Sequence, residues 1–518
     1  MAIPAYVETP VERIPEIRDS LEKAFRSGKT KSVKYRKEQL LRLAYLVKDN
    51  FGLLQEALAK DLGRADAETS ILELGNTLGD IKTSYENVAK WAKPERLPFM
   101  FNWFAMKPTL RKEPKGVVLI IFPFNYPIWL SLGPMAGAIA AGCAVVLKPS
   151  ELTPAYSALI AELIPKYLDP EIYTVVNGAV PQATKLLELR WGQILYTGGG
   201  RVGQIVLSAA AKTLTPVATE LGGKSPAVID PNCDLKTSAK RIVWGKMSNS
   251  GQTCVAPDYV LIPKAFEAQF AQALKEVLYE FYPEGAAKSD SFSHIINGGH
   301  FERIKGLLDA TRGEVVYGGS TDKEKLFIEP TIVTGVKADD SLMSEEIFGP
   351  VLPIVPVEDV DEAIAFINAH DHPLALYVFS KSAAFKSKVI ENTQSGSAIV
   401  NDTLVHGAVE GFPFGGIGPS GSGAHKGKFS FDMFTHIRPT LDNPSWVEMM
   451  MSGRYPPYTA AKASSMAKLI IPSLPSRPSY LPKLEGTVAR RTSNRWGVWF
   501  LVAAVAVGYG LIRVRRSA

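Results

Sequence analysis

Two rhythms divide this chain. Between Ile71 and Val88 the apolar residues Ile71, Leu74, Leu78, Ile81, Tyr85 and Val88 recur every three or four positions, the stripe of an amphipathic helix. The first hundred residues share that helical pattern. From Gly116 onward, short runs rich in β-branched residues take over. Residues 116–124 (GVVLIIFPF), 144–150 (AVVLKPS), 172–176 (IYTVV) and 193–197 (QILYT) predict strands. Between them, residues 133–142 (GPMAGAIAAG), Pro154 to Leu168 and 181–189 predict helices, and a further helix follows Arg201. Strands that are apolar throughout and separated by helices predict a parallel sheet covered on both faces, an α/β fold. Ligands of such sheets bind beyond the carboxyl ends of the strands, which directs attention to the residues just after each one.

Three strand ends carry suggestive chemistry. The first runs into Pro123-Phe124-Asn125-Tyr126-Pro127, and the second into Lys148-Pro149-Ser150-Glu151. The third opens a helix with Gly198-Gly199-Gly200-Arg201-Val202-Gly203, a G-x-G-x-x-G pattern with Glu220 about twenty positions on. Glycines there let a pyrophosphate approach a helix N-terminus. The pattern comes on at least the fourth strand–helix step, whereas the ordinary dinucleotide fingerprint sits on the first, so Glu220 need not be a ribose ligand. Further on, Cys254 lies among small residues in SGQTCVAP, a setting that leaves a thiol accessible and backbone close to a ligand. Cys143 and Cys233 fit a core and a turn.

Composition narrows the picture. Three cysteines with no CxxC pair exclude a disulfide scaffold and a zinc finger. The seven histidines show no metal-binding spacing; His406, His425 and His436 read as packing or surface residues. The N-terminus shows no secretory signal pattern. Of the net charge of +6, residues 441–518 contribute +8 (eleven Lys or Arg against three Asp or Glu), leaving 6 − 8 = −2 for the rest. No folded basic face for nucleic acid is visible. The basicity flanks Trp496 to Ile512, seventeen uncharged residues with Trp496, Trp499 and Tyr509 towards their ends. At about 1.5 Å per residue that run approaches the ~30 Å of a bilayer core, and predicts a C-terminal membrane anchor. The body is expected to stay in the cytosol, at the endoplasmic reticulum or the mitochondrial outer membrane. The seven prolines of residues 441–495 predict an extended, basic tether.

Taken together, ELGGKSP (220–226), GQTC (251–254), EEIFGP (345–350) and PFGGIGPSGSGAHKGKFSFDMFTHIRP (413–439) resemble the aldehyde dehydrogenase superfamily over about residues 10–440. The last motif, FNYP (124–127) and the apolar tail are most similar to its class 3 branch, which contains membrane-anchored fatty aldehyde dehydrogenases. The resemblance implies Cys254 as the nucleophile that traps the aldehyde. It implies Glu220 as the general base for the thiol and for the hydrolytic water, and Asn125 with the Cys254 backbone N–H as the oxyanion hole. It places Lys148 and Glu151 at the adenosine ribose, Gly198 and Gly203 near the pyrophosphate, and Glu346 with Phe348 near the nicotinamide ribose. A carboxylate at Glu151 favours NAD, and Lys148 beside it leaves NADP admissible.

The implied organisation is a Rossmann-like cofactor domain over residues 1–220, with a β-ribbon segment near 100–112, and an α/β catalytic domain over 221–424. An oligomerisation segment at 425–440, the tether and the 496–512 anchor follow, in a chain expected to form homodimers. The expected substrates are long-chain or otherwise lipophilic aldehydes, which partition into the same bilayer. Aromatic aldehydes are an alternative, and a catalytically silent membrane adaptor is an alternative of another class. Phe124 departs from the Trp expected in many relatives, which reshapes the aldehyde path without removing Asn125.

Overall fold

The computed structural model describes residues 2–481. The predicted anchor at 496–512 lies outside them; among the described residues no helix is long and apolar enough to cross a membrane. Two units result, Met1–Asp442 and Asn443–Ala518.

The first unit is built on two sheets. In the first sheet, parallel strands run in the spatial order Val217–Glu220, Gln193–Thr197, Val117–Ile121, Ala144–Lys148, Tyr173–Val175. Four of these are the strands the alternation predicts. Chain order therefore reverses between Val117–Ile121 and Gln193–Thr197, neighbours in space although first and fourth in sequence. That reversal leaves a crevice beyond their carboxyl ends, the standard ligand position of an open α/β sheet. It also accounts for the late glycine pattern: the fourth strand borders the switch point beside the first, and its glycine-rich end opens a helix there. The helix Pro127–Ala141, with all fifteen residues buried, covers one face of this sheet; its small residues permit that close packing.

The second sheet runs Glu314–Tyr317, Thr331–Thr334, Val351–Val357, Tyr259–Pro263, Pro226–Ile229, Ala375–Phe379, Ser397–Val400, parallel except for its first pair. A third, antiparallel ribbon joins Glu95–Arg96, Thr109–Pro114 and Thr435–Thr440.

Four expectations need correction. Ile71 does not belong to the buried helical stripe and is 66% exposed. A wider π-type turn over Ser70–Leu74 shifts the register there and turns Glu73 inward instead. The ribbon strand is Thr109–Pro114 rather than 100–112, because residues 104–106 form a 3-10 turn. The segment 425–440 is not all ribbon: His425 pairs with Phe414, and Lys428–Met433 is helical before the strand begins. Nor do the halves divide cleanly at residue 220, since Gly421–Ser422 returns to pair antiparallel with Thr219 and Glu220.

The second unit corrects the tether. Ala460–Ile470 is an α-helix, with the Thr459 side chain accepting the Lys462 N–H at 3.3 Å. The seven prolines all fall outside residues 458–471, and the intervening AAKASSMAKLI is rich in helix formers.

Candidate active site

The loop after Val117–Ile121 delivers Asn125, the end of Val217–Glu220 delivers Glu220, and the turn before Tyr259–Pro263 delivers Cys254. These three meet Gly198, Glu346 and Phe348 around one cavity of about 260 Å³. Six of the nine residues singled out from the sequence thus share a single space.

Cys254 is half-buried and its Sγ lies 3.9 Å from Glu220 Oε1. Burial pushes the thiol well above its ordinary range, and the carboxylates of Glu220 and Glu346 add to that push. The backbone N–H groups of Cys254 and Val255 act the other way. The sulfur is therefore held as a thiol beside an acceptor carboxylate, and becomes a nucleophile when its proton moves to that base.

Glu220 has a partner that sequence reasoning missed. His425 Nε2 stands 3.3 Å from Glu220 Oε2, and both side chains are buried. The His425 ring packs against Phe414 and Trp129, with centroids 5.4 and 6.4 Å away. The surface alternative for His425 is corrected, and packing is only part of its role: the ring is buried and also touches the candidate base. The signal was its place in the GAHKGKFS motif, which no spacing rule ties to Glu220. His406 does fit a packing role, stacked on Phe414 and pushed down to about 4 by burial.

Asn125 is held from both sides. Its Nδ2 donates to the Gln252 carbonyl at 3.1 Å, while its own carbonyl accepts from Asn249 Nδ2 at 3.0 Å and from the Arg64 guanidinium. Arg64 is fully buried and ion-paired with Glu73, whose second oxygen accepts the N–H groups of Ile128 (2.7 Å) and Trp129 (3.1 Å). Glu73 therefore caps the helix that starts just after Asn125, in keeping with the partial positive charge of a helix N-terminus. Burial raises the Glu73 carboxyl to about 7. Asn249 and Ser250 adopt left-handed φ values of 51° and 54°, and the Asn249 N–H donates to Glu68 at 2.8 Å. Such backbone persists only where the surroundings over-determine it. None of Arg64, Glu68, Glu73 or Asn249 stood out in the sequence.

Glu346 approaches the turn after Glu220 closely: a Cβ on Gly222 would sit 2.2 Å from Glu346 Oε2, so a side chain there would displace that carboxylate. Burial first and Asp258 second raise the Glu346 carboxyl to about 8, against a hydrogen bond from the Gly223 N–H. Phe348 has φ 49° and meets Phe124 edge-on at 5.9 Å.

Lys148, Glu151 and Gly203 lie outside this cavity lining. Lys148 is buried, with Nζ donating to the Pro149 carbonyl at 2.5 Å and 3.9 Å from Glu151 Oε2; the Glu151 side chain is 44% exposed. Gly203 is in the first turn of the helix Gly200–Ala211, where a Cβ would press on Leu221 at 3.1 Å, so its absent side chain serves packing. At the mouth of that helix no side chain caps the N-terminus, and a Cβ on Gly199 or Gly200 would meet nothing within 4 Å. An open, uncapped helix end at the switch point fits the pyrophosphate of a dinucleotide.

A sequence profile described as "Aldehyde dehydrogenase family" matches residues 6–439. The chain belongs to that family. It is 45% identical over 437 residues to a rat protein named "Aldehyde dehydrogenase, dimeric NADP-preferring", covering 84% of this chain and 96% of the relative. It is 40% identical over 495 residues to the "Beta-apo-4'-carotenal oxygenase" of Neurospora crassa, covering 95% and 91%. A solved structure of Staphylococcus aureus AldH in a substrate-bound state superposes with TM-score 0.85 at 38% identity, covering 88% of this chain and 99% of that one. The protein is thus an aldehyde-oxidising enzyme, and its cofactor is a nicotinamide dinucleotide. The class 3 resemblance read from FNYP and the 413–439 motif agrees with the curated relatives, several of which carry family 3 names.

Proposed function

We propose that this dehydrogenase oxidises long-chain or other lipophilic aldehydes to carboxylic acids, with NAD as the preferred acceptor, at a cytosol-facing membrane. The convergence of Cys254, Glu220 and Asn125 on one cavity carries the chemical part. The Cys254 proton passes to Glu220, and sulfur adds to the carbonyl carbon to give a tetrahedral thiohemiacetal. Its oxygen takes a hydrogen bond from Asn125 Nδ2 and one from the Cys254 N–H. Loss of hydride from the former carbonyl carbon leaves a thioester on Cys254; a nicotinamide dinucleotide, when bound, would supply the hydride acceptor. Glu220, oriented by His425, releases the thiol proton to solvent and then draws a proton from water, whose oxygen attacks the thioester; the C–S bond breaks, the carboxylic acid leaves, and the Cys254 sulfur takes the proton back from Glu220.

Asn125→Ala tests the oxyanion role. Because Asn249 Nδ2 also donates to the Gln252 carbonyl at 3.0 Å, that carbonyl keeps a partner in the variant. Steady-state kcat is expected to fall by about 10²–10³, or ~2.7–4 kcal/mol, with the thermal midpoint nearly unchanged. A kcat within a few-fold of the parent would remove Asn125 from the hole.

For the cofactor, Glu151 would accept the ribose hydroxyls and repel a 2′-phosphate, with Lys148 beside it. Glu151→Gln should raise the ratio of kcat/KM for NADP to that for NAD about tenfold, ~1.4 kcal/mol. An unchanged ratio would place the ribose elsewhere.

The substrate class rests on the apolar run 496–512. Each methylene favours an apolar phase by about 0.8 kcal/mol, so long-chain aldehydes collect in the bilayer to which such a tail would anchor the enzyme. The carotenal-oxidising relative favours a second reading, a long polyene aldehyde. Hexadecanal is expected to exceed a substituted benzaldehyde in kcat/KM; the reverse order would favour the aromatic class. We also propose a homodimer, as the name of the rat relative suggests. A reporter fused to residues 441–518 would reveal which membrane the tail selects.

A further inference from the structure

The loop that joins the first two strands of the ribbon carries an apolar tip outside the catalytic cavity. Phe99, Met100, Phe101 and Phe104 are 74%, 38%, 51% and 43% exposed. They form a cluster, with the Phe104 ring 5.3 Å from Phe99 and 6.4 Å from Phe101. The tip is folded: the Met100 carbonyl accepts the N–H groups of Trp103 (2.9 Å) and Phe104 (2.8 Å), and Met106 is buried beneath. Exposed cations, Lys93, Arg96, Lys107 and Arg111, lie on either side of it in sequence, against the carboxylates of Glu95 and Asp442.

The chain leaves the first unit at the base of this same loop. The Asp442 N–H donates to the Met106 carbonyl at 2.8 Å, and its carboxylate pairs with Lys107 at 2.8 Å. Residues 443–495 then lead to the uncharged run 496–512. The segment that leads towards the apolar run therefore departs from the first unit beside this exposed aromatic cluster.

We propose that Phe99, Met100, Phe101 and Phe104 form a second bilayer contact, seated at the headgroup–acyl boundary of an anionic membrane. Aromatic rings and a methionine flanked by cations suit that boundary, where rings bury their faces and Lys and Arg reach anionic headgroups. A second copy of this chain suits the tip less well. A two-fold contact with the tip at its axis would set this predominantly basic surface against itself. The contact deepens the proposed membrane function and rests on that reading; it would hold the body against the lipid that supplies the aldehyde.

The test uses full-length protein and phosphatidylcholine vesicles containing roughly 30% phosphatidylserine. V502D/V505D/V507D disables the tail. F99S/M100S/F101S/F104S disables the tip, alone and combined with the tail substitutions. All variants should oxidise a short soluble aldehyde at the parental rate, which shows that they fold. The tail-disabled protein is expected to co-sediment with vesicles, and adding the tip substitutions should weaken that binding by about tenfold or more. Equal binding with and without the tip, or no binding by the tail-disabled protein, overturns the proposal. So does a tip variant that changes only the oligomeric state in size exclusion, which would make the tip a contact between copies. Alkaline carbonate extraction of the parent tests the anchor separately: release would remove the anchor and leave the tip result standing.

Discussion

Cys254→Ser should abolish NADH formation from every aldehyde, lowering kcat by roughly four orders of magnitude or more, while Glu220→Gln should fail at a different step. Among the described residues the sulfur is the only thiol lining the cavity, and it stands beside both a carboxylate and the Asn125 amide. Serine in its place adds a far less ionisable hydroxyl. Glu220→Gln keeps the sulfur, so the first oxidation still occurs, more slowly, and the thioester then waits for a water that no carboxylate activates. Rapid mixing should therefore show about one NADH per active site and little afterwards, against sustained turnover in the parent. If Glu220→Gln turned over at the parental rate, hydrolysis would have to use another base. Glu346, whose carboxylate also acts on the Cys254 thiol, is an alternative in the cavity, with its carboxyl raised to about 8. The double readout separates the two residues: one variant loses the burst, the other loses only the later turnovers.

The second large effect is expected at a distance from the sulfur. Arg64→Met leaves Glu73 and Glu68 buried without the cation that faces both. Breaking one side of a buried pair typically costs about 3–5 kcal/mol, far more than a surface ion pair. The pH dependence gives the sign. Glu73 has a folded value of about 7, raised from 4.5 by burial, so it already loses stability as pH rises through that value. Without Arg64 its folded value climbs further. At about pH 6 Glu73 is largely protonated in both proteins and the deficit is small; above pH 7 the deficit grows. Denaturant midpoints at several pH values would show this, and a pH-independent deficit would point to lost packing instead. The Asn125 carbonyl also loses a donor, so the surviving folded enzyme should share part of the kcat defect of Asn125→Ala.

The alternating strands were legible because parallel strands buried on both faces are apolar through their middles, as Val117–Ile121, Ala144–Lys148 and Gln193–Thr197 are, with polar residues only at strand ends. Cys254 and Glu220 were legible because glycines and small residues surround them in recognisable motifs, and Asn125 because it follows a predicted strand in the FNYP motif. The supporting groups were not. Arg64 and Glu73 lie in a stretch of helices where a charged residue ordinarily marks the solvent side, and only the π-type turn at Ser70–Leu74 carries Glu73 inward. No periodicity rule predicts that turn, and it is also why Ile71 was misplaced. His425 was hidden for another reason: its contact with Glu220 spans 205 residues, and nothing local to either reveals it. The helix Ala460–Ile470 was masked by averaging over prolines that flank it.

The short return of Gly421–Ser422 to the edge beside Glu220 bears on any attempt to exchange parts among dehydrogenases. A cofactor module excised at residue 220 would come away with its outermost parallel strand uncovered and its final carboxylate stripped of the neighbouring backbone. A working transplant would have to carry two separate pieces of polypeptide, the second drawn from near the far end of the donor. Recombination in which a single crossover swaps one half for another is accordingly disfavoured, and the two halves are bound to diverge together.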